Sequence, residues 1–264
     1  MVIFQAVRRV FGLGQEKEET TRRRRRIELD FGVIPGPIFA IGDIHGRVDL
    51  LRDAERRIFA NLEATGASNG LIILLGDYVD RGPNSAAVLD YLVQPPPANA
   101  RRIAICGNHD VAFLNFIEDP DGNTRWLDMG GRDTLLSYGI DLDHVLKRGT
   151  GALKDALKEA VPQTHIDLLE RMPVCVRIND FVFVHAGLRP GIPLDQQSDR
   201  DMMWIREPFL TEGPGLPLVV VHGHTPVPEP QVGPGRIGID TAAVSTDRLS
   251  VLKLDRGKAR MLKY

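Results

Sequence analysis

Five short blocks gather most of the side chains in this 264-residue chain that could hold cations or phosphate: GDIHG (42–46), GDYVDRG (76–82), GNHD (107–110), HAG (185–187) and HGHT (222–225). Five of the seven histidines fall inside them, and the other two, His144 and His165, read as ordinary structural residues. Asp43 and His45 are one residue apart and can reach the same side of a crevice, with Asp77 arriving from the next block. A carboxylate has two oxygens, so one central Asp can bridge two cations about 3.5–4 Å apart. Asn108 offers a neutral carbonyl oxygen, and His185 and His224 offer imidazole nitrogens. Mixed oxygen and nitrogen donors favour manganese, iron or zinc over calcium. Two such cations activate water near neutral pH and aim it at phosphorus, so no protein nucleophile is needed. A lone Gly-Asp or Asp-x-His is often a turn. Five blocks of this kind converging on one place point instead to a reactive centre.

Convergence requires elements that deliver each block. Apolar runs of strand length precede all five, at 38–41, 71–75, 103–106, 181–184 and 218–221. Runs that are apolar on both faces suit buried strands, and ligands of layered folds gather outside strand ends. Asp43 and Asp77 are 34 residues apart and Asp77 and Asn108 are 31 apart, enough for a crossover helix and a parallel return strand. Segments 48–62 and 85–93 supply those helices. Several helical patterns between GNHD and HAG (111–117, 130–138, 151–160 and 165–170) predict a mainly helical cap at about 113–175 beside the crevice. After HGHT, segments 236–241, 249–254 and 259–263 read as strands that close a second sheet.

Hydrophobic residues make up 43% of the chain and charged ones 26%, the balance of a globular protein, and no run is long enough to span a membrane. Without a signal-peptide core the expected location is cytoplasmic. The overall charge of −2 hides a basic start: residues 1–30 carry eight basic and five acidic side chains, including the run Arg22 to Arg26. No basic stripe interleaved with aromatics appears, so nucleic acid is not an expected partner. Residues 1–36 read as a basic tail, either disordered or amphipathic; Ile3, Phe4, Val7, Val10 and Phe11 share one helical face that suits an anionic membrane or a protein partner. The catalytic domain then occupies 37–264. Cys106 and Cys175 are expected to be buried thiols rather than a disulfide.

The motifs GDxHG, GDxVDRG, GNH, HAG and GHT occur in the order found in the phosphoprotein phosphatase family of dinuclear metallophosphoesterases, which the chain resembles from about residue 37 to 264. The resemblance implies an α/β fold, the calcineurin-like β-sandwich flanked by helices. It implies that Asp43, His45 and Asp77 hold one divalent metal, manganese above iron or zinc, and that Asp77, Asn108, His185 and His224 hold the other. His222 is extra, a group behind the ligands, a core histidine or a further ligand. His109 resembles the family's general acid, Asp80 the carboxylate that orients it, and Arg81 a phosphate clamp shared with Asn108 and His109. The alternative for Asp80 is a helix N-cap. Met203-Trp204-Ile205-Arg206 is similar to the family's W-x-R segment and makes Arg206 a second clamp; its alternative is a surface arginine beside a buried Trp204. GNHD also occurs in the related diadenosine tetraphosphatases, which typically lack the counterpart of Asp80. The segments at 130–136 (GGRDTLL) and 239–244 (IDTAAV) look closer to bacterial and phage-type serine/threonine phosphatases. The reading is therefore a phosphomonoesterase acting on phosphoproteins through a metal-bridging hydroxide. Its alternatives are a dinucleoside polyphosphate hydrolase and a catalytically weak scaffold.

Overall fold

Along β2 (Ile38–Ile41) every residue is buried, yet alternate side chains enter different cores. Ile38 and Ala40 point into one apolar cluster while Phe39 and Ile41 point into another. β3 (Gly70–Leu74) repeats the division, with Leu71 and Ile73 on one side and Ile72 and Leu74 on the other. Period-two alternation with apolar residues on both faces demands cover on both faces. The computed structural model describes residues 28–32, 36–67, 69–149 and 151–263, and it shows what that cover is.

On the outer face lie α1 (Val48–Thr65) and α2 (Ser85–Val93), which bury Leu51, Ala54, Ile58, Leu62, Val88 and Leu89. They cross between β2, β3 and β4 (Ala100–Ala104), all parallel, with Ile38 paired to Leu71 and Ile73 to Ile103. α3 (Asn108–Glu118) follows, then a π-helical turn at Leu127–Gly131 and four helices, α4 (Arg132–Ser137), α5 (Leu142–Leu146), α6 (Ala152–Ala160) and α7 (Gln163–Arg171). α4 and α7 pack on α2, and α6 and α7 on α3.

The inner face is covered by a second sheet. β5 (Cys175–Ile178), β6 (Phe181–Val184), β7 (Val219–His222), β8 (Gln231–Gly233) and β9 (Arg236–Gly238) join an amino-terminal β1 (Glu28–Phe31) in the order β1-β5-β6-β7-β9-β8. Val176, Ile178, Phe183, Val221 and Ile237 meet Ile38, Ala40, Leu71, Ile73 and Ile105 across the interface. α8 (Asp199–Trp204) lies between β6 and β7. β10 (Val251–Asp255) and β11 (Lys258–Met261) return to the first sheet, in the order β11-β10-β2-β3-β4.

Two expectations change. The three carboxy-terminal strands do not together close one sheet: β9 sits beside β7, whereas β10 pairs antiparallel with β2 because the hairpin covers the free edge of that parallel strand. The tail does not extend to residue 36. Glu28–Phe31 pairs in parallel with β5, and Leu29 and Phe31 pack on the inter-sheet core. The helical face read at residues 3–11 and the arginine run at 22–26 lie outside the described residues. Cys106 and Cys175 are free and buried. Among the described residues no helix is long and apolar enough to cross a membrane. Because β1 shields the edge of β5, deleting residues 1–31 should lower the thermal midpoint relative to deleting 1–27; equal midpoints would show that the strand adds nothing to the sheet.

Candidate active site

All five blocks leave the ends of β2, β3, β4, β6 and β7, and their backbones are stitched together. The N–H groups of Ile44 and His45 donate to the Asp77 carbonyl at 3.1 and 2.8 Å, and Gly223 N–H donates to the His185 carbonyl at 2.8 Å. His45, Asp77, Asp80, Arg81 and His224 adopt left-handed φ of 43, 54, 73, 67 and 63°. Such backbone costs about 1–3 kcal/mol per residue and persists only where the surroundings over-determine it. Five of the nine non-glycine residues with positive φ among the described residues thus belong to the blocks.

The imidazoles are aimed by their second nitrogen. His45 Nδ1 lies 2.8 Å from the Val79 carbonyl and His185 Nδ1 lies 2.7 Å from the Leu75 carbonyl. A carbonyl can only accept, so each Nδ1 carries a proton and each Nε2 is the atom turned to the crevice, where the neutral ring would offer its lone pair. Both Nε2 atoms face Asp77 Oδ2, at 3.5 and 3.4 Å. Asn108 Oδ1 stands 2.9 Å from His185 Nε2, and His224 Nε2 is buried without a hydrogen-bond partner. Donor atoms of His45, Asp77 and His109 lie within 4.8 Å of one another, as do those of Asp77, His185 and His224. Asp77 is common to both groups, the place a bridging carboxylate would take. Asp43 stands outside both, its oxygens accepting the His224 N–H at 3.0 and 3.2 Å.

Electrostatics follow from this crowding. Burial would raise the Asp77 carboxyl, but the charges of His185 and His109 hold it well below its usual value. Asp43 is pushed up by burial and by its neighbour Asp240. Burial lowers His45 and His224 to about 3, the neutral form that binds cations. His185 is buried too, yet the Asp77 carboxylate overrides that and pushes it up to about 10. These donors fit a pair of divalent cations: oriented lone pairs, an orphaned imidazole nitrogen and an excess of buried carboxylate.

Beside this cluster lies a hydrogen-bonded dyad. His109 Nδ1 is 2.6 Å from Asp80 Oδ2, and both groups are buried. Asp80 does not cap α2, whose N-cap is Asn84. Arg81 spans the crevice, donating from Nη1 to His45 Nε2 at 2.9 Å and from Nη2 to His109 Nε2 at 2.8 Å. Arg206 is exposed, and its charge helps to depress His224. The buried neighbour of the alternative reading is not found: Trp204 is 45% exposed, its ring edge-on to His224 at 6.2 Å, because it ends α8 at the crevice mouth instead of entering the core. His222 packs against Phe209 and sits near 3.1 Å from the Gly223 carbonyl through Nδ1, outside both donor groups.

Four residues around the site carried no functional expectation. Asp240 is buried against Asp43. Trp126 and Thr134 bond Asp80 from the helical insertion. Asp110 accepts three backbone N–H groups, from Asp77 (2.9 Å), Tyr78 (2.9 Å) and Gly107 (2.8 Å), and so rivets the second block to the third. Its place at the end of GNHD was the only signal available. Asp110→Asn turns one acceptor into a donor facing those N–H groups. It should weaken manganese binding by roughly tenfold, in the range seen for groups behind metal ligands, and lower the thermal midpoint; unchanged metal titration would show that Asp110 does not set the loop spacing.

Comparison with known proteins places the chain among phosphoesterases. A bis(5'-nucleosyl)-tetraphosphatase PrpE [asymmetrical] of Oceanobacillus iheyensis is 24% identical over 233 residues, which cover 81% of this chain and 86% of that protein. Serine/threonine-protein phosphatase 2 of Escherichia coli is 36% identical over 96 residues, 36% of this chain and 38% of the relative. Among solved structures, a provisionally assigned diadenosine tetraphosphatase superposes with a TM-score of 0.61 at 22% identity, covering 89% of this chain and 96% of its own. The family model of the calcineurin-like phosphoesterases matches residues 36–249, a span that holds all five blocks and the strands that carry them, and the chain belongs to that family.

Proposed function

We propose that this metallophosphoesterase hydrolyses dinucleoside polyphosphates. What supports the substrate class is the likeness, over 81% of the chain, to a protein named as a bis(5'-nucleosyl)-tetraphosphatase. A symmetrical bis(5'-nucleosyl)-tetraphosphatase of Dechloromonas aromatica, 30% identical over 152 residues, adds to it. A serine/threonine phosphoprotein phosphatase is the second reading, favoured by the 2.6 Å contact between His109 and Asp80. A seryl or threonyl alkoxide is a poor leaving group and needs a proton, whereas a nucleotide leaves from an anhydride with little help.

In either reading Asp43, His45 and Asp77 would hold one cation and Asp77, Asn108, His185 and His224 the other. Two divalent cations there, manganese foremost given the mixed donors, supply Lewis acidity toward phosphoryl oxygens and activate water. Arg81 and Arg206 bind the outer phosphate oxygens, Arg81 through a planar fork suited to paired hydrogen bonds. Asn108 and His109 line the same phosphate position. His109 donates from Nε2 to the leaving oxygen while Asp80 keeps hold of Nδ1–H and stabilises the cationic ring.

Chelation should abolish hydrolysis of nitrophenyl phosphate, and manganese should restore it. Asp77→Asn should lose activity together with bound metal, measured by elemental analysis; full activity in a metal-free Asp77→Asn protein would refute a two-metal reaction. Substrate class is tested by comparing kcat/KM for diadenosine tetraphosphate with that for phosphoserine and phosphothreonine peptides. An excess of orders of magnitude for the dinucleotide is the expected outcome, and the reverse order would install the phosphoprotein reading. His109→Asn should slow phosphoserine peptides about 10²–10⁴-fold more than nitrophenyl phosphate, whose phenolate departs unaided. Equal losses would make His109 a binding residue.

A further inference from the structure

Asp80 is fully buried, and its two oxygens are shared among three donors. His109 Nδ1 takes Oδ2 at 2.6 Å, Trp126 Nε1–H donates to the same Oδ2 at 2.8 Å, and the Thr134 hydroxyl donates to Oδ1 at 2.7 Å. Trp126 and Thr134 both come from the helical insertion, 46 and 54 residues away in sequence. The same turn also reaches the neighbouring arginine, since the Gly130 carbonyl accepts the Arg81 N–H at 3.2 Å. Asp80 and Arg81 are consecutive residues with left-handed φ, a conformation that depends on outside support.

Two glycines let the turn come this close. A Cβ on Gly130 would stand 2.7 Å from the Arg81 nitrogen, and one on Gly131 would stand 2.5 Å from the Trp126 indole. Trp126 is itself stacked on Phe113 and tilted against Phe116, at ring-centroid distances of 5.1 and 4.5 Å, both on the helix that carries His109. Its indole is therefore fixed by α3 while its N–H is aimed at Asp80. A buried indole N–H needs an acceptor. Here it takes the oxygen that the acid histidine uses.

We propose that the turn spanning residues 126–134 is a clamp for proton donation, in which Trp126 and Thr134 are positioning residues that fix the Asp80 carboxylate so that His109 Nε2 faces the leaving oxygen. During P–O cleavage, with Arg81 turned from Nε2 to the phosphate, a proton on Nε2 passes to the departing oxygen while the Nδ1 proton stays on His109, hydrogen-bonded to Asp80. The inference rests on the general-acid reading of His109 and adds that the insertion, rather than the strand-end loops alone, sets the acid's aim.

The test uses the metal-loaded full chain with Trp126→Phe, which keeps the aromatic stack and removes the N–H, Thr134→Val, which removes the hydroxyl, and Thr134→Ser, which retains it. For Trp126→Phe and Thr134→Val the loss in kcat on a phosphoserine peptide should exceed the loss on nitrophenyl phosphate by about 10-fold or more, the scale of groups that orient a reacting ligand. KM should change little. Thr134→Ser should recover the wild-type ratio, and the downfield proton resonance of His109 Nδ1–H should move in the first two variants but not in the third. Equal losses on both substrates in Trp126→Phe and Thr134→Val, with His109→Asn still discriminating between them, would overturn the clamp alone. If His109→Asn does not discriminate, the general-acid reading falls and the clamp falls with it.

Discussion

Four carboxylates, Asp43, Asp77, Asp80 and Asp110, are buried within one neighbourhood, and almost every local feature answers the cost of putting them there. An isolated buried carboxylate is expensive, and the usual remedies are hydrogen-bond donors, cations or neutralisation. Each Asp has a different remedy. Asp110 takes three backbone N–H groups, Asp80 takes an imidazole, an indole and a hydroxyl, and Asp77 takes three imidazoles and the His109 N–H at the start of α3. Asp43 has the weakest set, a single N–H shared between its oxygens and a second acid, Asp240, nearby. The residual negative charge is what makes the pocket a cation site, and the family to which the chain belongs is one of metal-dependent hydrolases.

The two sheets divide the work of supply. Asp43, His45, Asp77 and Asn108 follow strands of the five-stranded sheet, and His185 and His224 follow strands of the other. Distances between the two donor sets are therefore set by the buried inter-sheet core of Ile38, Ala40, Leu71, Ile73, Val176, Phe183 and Val221, since close-packed interiors hold such spacings. Left-handed backbone at five block residues then turns each side chain inward over a very short stretch. Short loops leaving buried strands place these side chains with less freedom than longer loops would allow.

How much could be read from the chain depended on where the physics was local. β2, β6 and α2 have the boundaries expected, because apolar runs ending in Gly-Asp, His-Ala or Ser-Ala mark a strand end or helix start directly. The candidate metal donors could be named from the sequence, since they sit in the blocks themselves, and the structure gathers Asp77 with His45, His185 and His224. Alternation could not say which of two sheets a strand joins, so β9 and β10 were grouped wrongly. β1 was missed because four residues beside an arginine run carry little apolar signal until β5 is there to pair with. Trp126 and Thr134 could not be found at all: their role exists only once the insertion folds back over Asp80. A buried Trp204 belonged to the alternative reading of Arg206, and the exposure of Trp204 reflects its place at the lip of the crevice.

Asp110 is a spacer of fixed length. Its carboxylate lies one methylene from its own backbone, and that reach sets how far the GNHD turn stands from the Asp77–Tyr78 peptides it grips. A glutamate here would carry the same charge but push the acceptor outward by more than an ångström. The two loops would then have to part, or the helix would have to start from a shifted point. Sequences that use the longer acid should therefore differ in a coordinated way around Cys106 and Gly76, and exchanging Asp for Glu alone would be a change of ruler rather than of chemistry.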